Sequence, residues 1–440
     1  MHERSRDHPR QRLIEAMIEV AAREGYAGAS VAEVIAGAGA SRSTFYEHFA
    51  DRDECFLAAL AEASGSLHAR VDAALRGGDE PAQATASAVV RFAVDLPAAA
   101  RVLFCESLAC GPSGLAVRDE LIDALAERIE RAWASREPRL PAPDVPSLGL
   151  ICGLFRLLSM RLTAGEAALD GLEADLAAWI ASHERESGPL VWRAGTPLGA
   201  ITTQPAQAAP AAPPPQTLPR GRHGLSPAQV ARSQRQRILA AVASESFAKG
   251  YSNVTVREIV TAASIARNVF YAQFSDRREA AIAALQDGFE RALAATAGTF
   301  FTGESWPARI WSIGQRLTEH YLAHPADAYL SFVELHAIGP EAVSLAHERL
   351  RVFALLLEEG YRLRAEAGKG PLPRTVSEAL VATVLELGFR QAPRRGATRR
   401  RVLLGQQAYM CLAPFIGVDE ACELVAERTG VALEARQGQG

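Results

Sequence analysis

Apolar residues recur at spacings of three and four along most of the chain, as they do in helices that bury one face. The spacing is clear at Leu13, Met17 and Val20, and again at Leu121 and Leu125. Glycine and proline residues interrupt the pattern between such segments, and no run alternates apolar and polar residues in the manner of a half-buried strand. The sequence therefore predicts an all-α fold.

One segment of the chain occurs twice. Residues 10–60 align without a gap to residues 235–285, and 19 of the 51 aligned positions are identical. The stretch between the copies is rich in Pro, Ala and Gln, a composition that builds no core and favours extended conformations. A chain of 440 residues is also too long for a single core. We therefore predict a first head over residues 1–60, a helical domain over 61–187, a semi-rigid linker over 188–227, a second head over 228–285 and a second helical domain over 286–435.

Each head is predicted to contain three short helices. The first helix ends at Gly25, and Ser30 with Glu33 forms a capping box that opens the second helix. Thr255 and Glu258 form the same box in the second head. A short turn leads to a third helix whose phenylalanines lie four residues apart on one face, so the opposite face is left for a partner. This is the pattern of a helix-turn-helix, whose last helix enters the major groove of DNA.

The repeated segment resembles the DNA-binding domain of the TetR family of bacterial repressors. The resemblance implies two tandem TetR-like units, each with a helix-turn-helix head and a helical domain for ligand binding and dimerisation. The matching residues are Gly25, Tyr26, Val31, Ile35, Ala38, Ser41, Phe45, Tyr46, Phe49 and Arg52 in the first copy and Gly250, Tyr251, Val256, Val260, Ala263, Phe270, Tyr271, Phe274 and Arg277 in the second.

The resemblance also assigns roles to individual residues. It implies that Tyr46 and Tyr271 donate hydrogen bonds to phosphates, and that Arg52 and Arg277 take the place of the family's lysine at the start of the fourth helix. Among the exposed residues of the third helices, Arg suits guanine and Asn suits adenine. The candidate DNA-binding residues are Ser41, Arg42, Ser43, Thr44, Tyr46, Glu47, His48 and Arg52 in the first head and Arg267, Asn268, Val269, Tyr271, Ala272, Gln273 and Arg277 in the second.

The two heads differ in charge. Residues 1–60 contain seven Arg and ten acidic residues, whereas residues 232–285 contain eight Lys or Arg and four acidic residues. Attraction to phosphate supplies much of the affinity for DNA, so the second head is expected to bind more strongly. An alternative stays open, in which the chain is a helical ligand-binding or interaction protein whose second head alone binds DNA and whose first head is structural.

Other classes of protein find little support in the sequence. GxSxG, P-loop, GxGxxG and HExxH motifs are absent, so no enzyme is predicted. The six cysteines lack CxxC spacing, and His320 and His324 are read as partly exposed residues of an amphipathic helix, so we predict no metal or cofactor. No apolar run reaches the roughly 20 residues that span a bilayer. We expect a cytoplasmic bacterial protein that associates with the nucleoid when bound.

The expected partners are a double-stranded DNA operator and a small-molecule effector that releases a repressor. By position, the dimerising helices would be residues 147–162 with 172–183, and residues 375–390 with 400–416. If these pairs pack against each other, one chain mimics the family's homodimer and sets its recognition helices about one turn of DNA apart. Pairing between two chains, as a true homodimer, is the rival arrangement.

Overall fold

The computed structural model describes residues 9–77, 80–135, 147–183, 190–191, 226–300, 305–391, 397–429 and 434–435. Helices dominate these segments, which confirms the all-α fold. Their regular structure also includes one pair of two-residue antiparallel strands, β1 (Leu190–Val191) and β2 (Glu434–Ala435). The predicted linker, residues 188–227, lies outside the described residues except at 190–191 and 226–227.

The helices before the linker follow the predicted periodicity. Proline opens several of them, where its missing N–H costs nothing. They are α1 (Pro9–Gly28), α2 (Val31–Ala38), α3 (Arg42–His48), α4 (Arg52–Leu75), α5 (Pro81–Asp95), α6 (Pro97–Phe104), α7 (Gly111–Ala134), α8 (Ser147–Ala164) and α9 (Leu172–Ala181), with 3-10 turns at Glu106–Leu108 and Glu166–Leu169.

The helices after the linker repeat the same order at first. They are α10 (Pro227–Lys249), α11 (Val256–Ala262), α12 (Arg267–Tyr271), α13 (Arg277–Phe300), α14 (Trp306–Ala323), α15 (Pro325–Phe332), α16 (Leu335–Ile338), α17 (Pro340–Leu355), α18 (Glu358–Glu366), α19 (Thr375–Gln391), α20 (Ala397–Ile416) and α21 (Val418–Thr429), with a 3-10 turn at Tyr251–Asn253.

The chain forms two compact units that do not follow the order of the sequence. The first unit comprises Met1–Ala200, Leu350–Leu387 and Gly405–Gly440, and the second comprises Ile201–Arg349 and Gly388–Leu404. The helical domain predicted for residues 286–435 is thus divided between the units. The physical reason is that much of α19 and α20 packs against helices of the N-terminal half. The domain boundaries drawn from the sequence stay a prediction.

Helix α8 lies in the middle of the first unit. A Cβ atom at Gly153 would lie 2.2 Å from Thr383 Oγ1 and 3.2 Å from the Ala379 carbonyl oxygen, so only glycine permits this approach to α19. A Cβ atom at Gly149 would lie 3.4 Å from the Met410 sulfur, an ordinary contact, so α8 also lies against α20. The N-terminal half of the chain thus packs directly on helices from its C-terminal half.

The same helix is apolar enough to resemble a membrane span. Ser147–Ala164 is the one helix of the described segments with sufficient length and hydropathy, and 78% of it is buried inside the protein. Its apolar side chains are therefore accounted for by the core of the first unit.

Candidate nucleic-acid interface

Local hydrogen bonds shape both heads as the sequence predicts. Ser30 Oγ accepts a hydrogen bond from the Glu33 amide at 3.3 Å, and the Glu33 carboxylate accepts one from the Ser30 amide at 3.1 Å. Thr255 and Glu258 make the same reciprocal pair at 3.4 and 2.8 Å. Both capping boxes are therefore confirmed, and each fixes the start of the helix that supports the third one.

The third helices, α3 and α12, are anchored by aromatic side chains. Phe45 and Phe270 have no exposed surface, and Phe49 and Phe274 are only 2% exposed. With one face fixed in this way, the other face of each helix is held towards solvent. The tyrosines on that face are about half exposed, at 48% for Tyr46 and 46% for Tyr271.

An arginine and a tyrosine lie together on the exposed face of each third helix. The Arg42 guanidinium carbon lies 5.7 Å from the ring centroid of Tyr46, and that of Arg267 lies 5.5 Å from the ring of Tyr271. Arg267 Nη2 also donates to Tyr271 Oη at 3.4 Å. Each pair combines a permanent positive charge with a phenol donor, which suits phosphate oxygens and the acceptor edge of guanine. We call these the Arg–Tyr pairs.

The remaining predicted residues divide by exposure. The exposed ones are Ser41, Ser43, Glu47, Asn268 and Ala272, and the half-buried ones are Thr44, His48, Val269 and Gln273. Ser43 Oγ donates to the Glu47 carboxylate at 3.3 Å. The exposed set lies beside the Arg–Tyr pairs, so these residues share one surface in each head.

The two third helices differ in how they begin. Ser41 Oγ accepts a hydrogen bond from the Thr44 amide at 3.0 Å and so caps the seven-residue helix α3. Ala266 stands at the equivalent position, and the five-residue helix α12 has no side-chain cap. A missing cap costs roughly 1 kcal/mol. Helix α12, which lies in the head with the more favourable charge, is therefore less firmly held than α3.

Arg52 and Arg277 turn inwards. The Arg52 guanidinium lies 4.5 Å from the ring centroid of Tyr26 and donates to the Tyr26 carbonyl oxygen at 3.3 Å. Arg277 lies 4.7 Å from the Tyr251 ring and donates to the carbonyl oxygens of Tyr251 and Val254. Both arginines therefore fasten the start of the fourth helix to the end of the first. Their contact with phosphate stays a prediction.

A buried glutamate joins the first head to its helical region. Glu106 follows α6, is 8% exposed, and accepts a hydrogen bond from the Tyr26 amide at 2.8 Å. The amide belongs to the residue after Gly25, whose φ of 76° breaks α1 where the sequence predicts the first helix to end. Burial raises the pKa of Glu106, while the Tyr26 amide and Arg101 act in the opposite direction.

The second head has the same connection. Glu334 follows α15, is 6% exposed, and accepts hydrogen bonds from the Tyr251 amide and the Tyr329 hydroxyl. Gly250 precedes that amide with a φ of 80°, and burial again raises the pKa of the glutamate. The core of the second head also continues into Leu330 and its neighbours. In both heads, a buried carboxylate thus contributes to the attachment to the helical region.

Sequence reasoning missed these two glutamates, although a signal is present. Residues 97–106 read PAAARVLFCE and residues 325–334 read PADAYLSFVE, so the proline, two alanines, the phenylalanine and the glutamate coincide. This second repeat lies outside the gapless alignment of the heads, because the chain between the two repeats differs in length. A search for shorter repeats beyond the heads would have found it.

Residues beside the third helices contribute to the charge difference between the heads. Glu47 and Asp53 of the first head align with Ala272 and Arg278 of the second. The side chain of Asp53 is 59% exposed although it pairs with Arg52 at 2.9 Å. The acidic surface of the first head is thus next to the face that would meet DNA. No group of three or more His, Cys, Asp or Glu side chains in the described segments is arranged to hold a metal ion.

Comparison with known proteins identifies both heads. The model of the family described as bacterial regulatory proteins, tetR family, matches residues 13–59 and residues 238–284. No curated protein matches the chain. Similar solved structures include the fatty acid degradation regulator FadR from Bacillus halodurans, with 16% identity over 41% of this chain and 94% of that one and a TM-score of 0.35.

Two further structures have comparable similarity. A protein described as a TetR-family transcriptional regulator from Syntrophomonas wolfei is 15% identical over 47% of this chain and 99% of its own, with a TM-score of 0.33. A protein described as a fatty acid metabolism regulator from Clostridium perfringens is 19% identical over 38% of this chain and 96% of its own, with a TM-score of 0.30. The two family matches coincide with the two folded helix-turn-helix heads, so the chain contains two DNA-binding domains of the tetR type in tandem.

Proposed function

We propose that the protein is a repressor that binds an operator through both heads and releases it when a small-molecule effector binds the helical region. The observation that carries this proposal is the Arg–Tyr pair exposed on the third helix of each head. Phosphate contacts from such groups position a recognition helix, and contacts with base edges give it specificity. The buried carboxylates Glu106 and Glu334 connect the helical regions to the heads. A structural change in a helical region therefore alters the position of its head.

In this proposal, a single chain forms the two-headed assembly that two subunits form in a homodimer. Support comes from the packing of α8 on α19 and α20, in which Gly153 approaches Thr383 without space for a side chain. These are the helices that the family resemblance marks for dimerisation. An intramolecular pair would place two recognition helices on half-sites roughly 10 base pairs apart. Because α3 and α12 differ at most exposed positions, the two half-sites should differ in sequence.

A second candidate function has one specific observation in its favour. Glu47 and Asp53 place negative charge beside the recognition helix of the first head, where repulsion from phosphate weakens binding. In this alternative only the second head binds DNA, and the first head serves as a structural partner.

Paired substitutions in the two heads test the proposal. An operator is first selected from a pool of duplexes with random cores. We expect Arg267→Ala with Tyr271→Phe to weaken binding roughly 10- to 100-fold, and Arg42→Ala with Tyr46→Phe to weaken it less, because of the charge difference. Gel shifts at two salt concentrations give the affinities and show how many phosphate contacts are lost.

The matched control is Arg91→Ala, since Arg91 is an exposed arginine of α5 that pairs with Glu173 on the surface. We expect its affinity and salt dependence to equal those of the unmodified chain. A loss caused by the second pair alone would favour the alternative function. If neither pair weakens binding, or if the first pair matters more, the proposed interface is wrong.

A further inference from the structure

Two arginines share one glutamate in the interior of the first unit. Glu386 of α19 accepts hydrogen bonds from Arg118 Nη1 of α7 and from Arg156 Nε of α8, the latter at 2.9 Å. The side chains of Arg118 and Glu386 are fully buried, and that of Arg156 is 5% exposed. Burial of a charge is costly unless hydrogen bonds and opposite charge compensate it.

In this cluster, Arg118 donates to Glu386 through its Nη1 atom. Its Nε and Nη2 atoms are buried and have no acceptor among the described residues. These two atoms form the side edge of the guanidinium, where two N–H bonds point in parallel and fit the two oxygens of a carboxylate. The edge is thus a buried donor pair, already shaped for an anion and held in place by Glu386.

Aromatic side chains lie near this guanidinium. The Arg118 guanidinium lies 5.6 Å from the ring centroid of Phe155, which lies 4.9 Å from the ring of Phe104 in an edge-to-face contact. Phe92 extends the cluster at 6.3 Å from Phe104. Ser159, one helical turn beyond Phe155, contributes a buried hydroxyl that also has no partner in the described segments. Aromatic rings therefore adjoin a cationic edge and a polar hydroxyl.

We propose that the Nε–Nη2 edge of Arg118 binds the carboxylate of a small organic monoanion whose apolar body packs against Phe155 and Phe104. A second negative charge among these rings would pay a large desolvation cost, so a monoanion fits better than a phosphate dianion. The inference rests on the proposed function, because it assigns this anion as the effector.

The site lies close to the residues that hold the first head, which is how ligand binding alters DNA binding. Phe104 is the last residue of α6, and Glu106, two residues later, accepts the hydrogen bond from the Tyr26 amide of the first head. A ligand that displaces the Phe104 ring therefore displaces the carboxylate that holds this head. A regulatory ligand must interact differently with the two states of the protein. Residues 104–106 provide that difference, because they connect the ligand site to the contact with the first head.

Matched pairs of charged and neutral compounds test the inference on the full chain. The melting temperature is measured with benzoate against benzamide and octanoate against octanamide, with octyl phosphate as a further arm. We expect at least one carboxylate to raise the Tm by about 5–10 °C at a hundred times its Kd, and its amide to leave the Tm unchanged. A rise with the amides, a rise with octyl phosphate alone, or no rise at all would overturn the assignment.

Substitution of Arg118 tests whether the carboxylate binds at this site or elsewhere on the protein. Arg118→Met should abolish the shift caused by the carboxylate, whereas Arg128→Met should retain it. Arg128 is the matched control because it lies on the same helix and its ion pair with Asp72, at 2.9 Å, is also lost. If Arg118→Met does not fold, Arg118→Lys keeps the charge without the parallel donors, and its Kd for the carboxylate should rise at least tenfold. An unchanged Kd would contradict the proposal.

The same variants distinguish this inference from the proposed function. The carboxylate should weaken duplex binding by the unmodified chain and have no effect on Arg118→Met. Duplex binding that persists without any response of the Tm to carboxylates would reject the effector site and leave the regulator function standing.

Discussion

Ser264 adopts a backbone conformation that glycine favours. Its φ is 51°, and Gly39, the aligned residue in the first head, has a φ of 57° at the end of α2. The turn of the helix-turn-helix needs this left-handed residue in both heads, since it directs the chain into the third helix. A side chain in that region costs roughly 1 kcal/mol, so the second head carries strain that the first head lacks.

Exchange of these residues should change stability in opposite directions. Ser264→Gly should raise the free energy of unfolding by about 0.5–1 kcal/mol, and Gly39→Ser should lower it by about 1 kcal/mol. Urea unfolding of the full chain, followed by circular dichroism, measures both. Ser252→Gly, in a turn without a positive φ, serves as the control and should gain nothing. A Ser264→Gly variant that is less stable than the unmodified chain would show that the turn is not strained.

At the scale of elements, Glu106 connects α6 to the end of α1. Its pKa is raised by burial, so the folded protein holds this proton more tightly than the unfolded chain, whose glutamates titrate near pH 4.3. The stability from this group is fully present below that pH and is lost as the pH rises through the folded pKa. Glu106→Gln keeps a carbonyl acceptor for the Tyr26 amide but does not titrate.

The variant should therefore gain stability relative to the unmodified chain as the pH rises from 4.5 to 7. Chemical unfolding at several pH values measures the difference in free energy between the two proteins, which cancels the titration of all other groups. Glu106→Ala provides the contrast, since it leaves the buried amide without its acceptor and should be about 1–3 kcal/mol less stable than Glu106→Gln at every pH. A difference between Glu106→Gln and the unmodified chain that is constant with pH would contradict the buried titrating carboxylate.

The sequence predicts the local elements of the heads well. Capping boxes, a buried Phe45 and an exposed Tyr46 all follow from spacings of three or four residues, which the helix itself imposes. Contacts between distant segments were not predictable in this way. Nothing near Arg52 in the sequence indicates that it turns towards Tyr26, and Glu106 finds its partner 80 residues away.

At the scale of the molecule, the packing of α8 on α19 predicts an assembly that one chain completes. Light scattering should give the mass of a single chain, 47.1 kDa. Gly153→Leu should disrupt this packing, because its side chain would overlap Thr383 and the Ala379 carbonyl, and should lower the Tm. Gly65→Ala, in α4 at a position with no positive φ and with open space around it, is the glycine control. A mass of two chains that Gly153→Leu reduces to one would favour the homodimer.

Footprinting of the full chain on its selected operator tests most directly whether both heads bind DNA. Hydroxyl radicals should reveal two protected tracts about one helical turn apart. The tract of the second head should disappear with Arg267→Ala and Tyr271→Phe, and the other with Arg42→Ala and Tyr46→Phe. Protection that neither pair of substitutions changes would contradict the claim that the exposed faces of α3 and α12 contact the duplex.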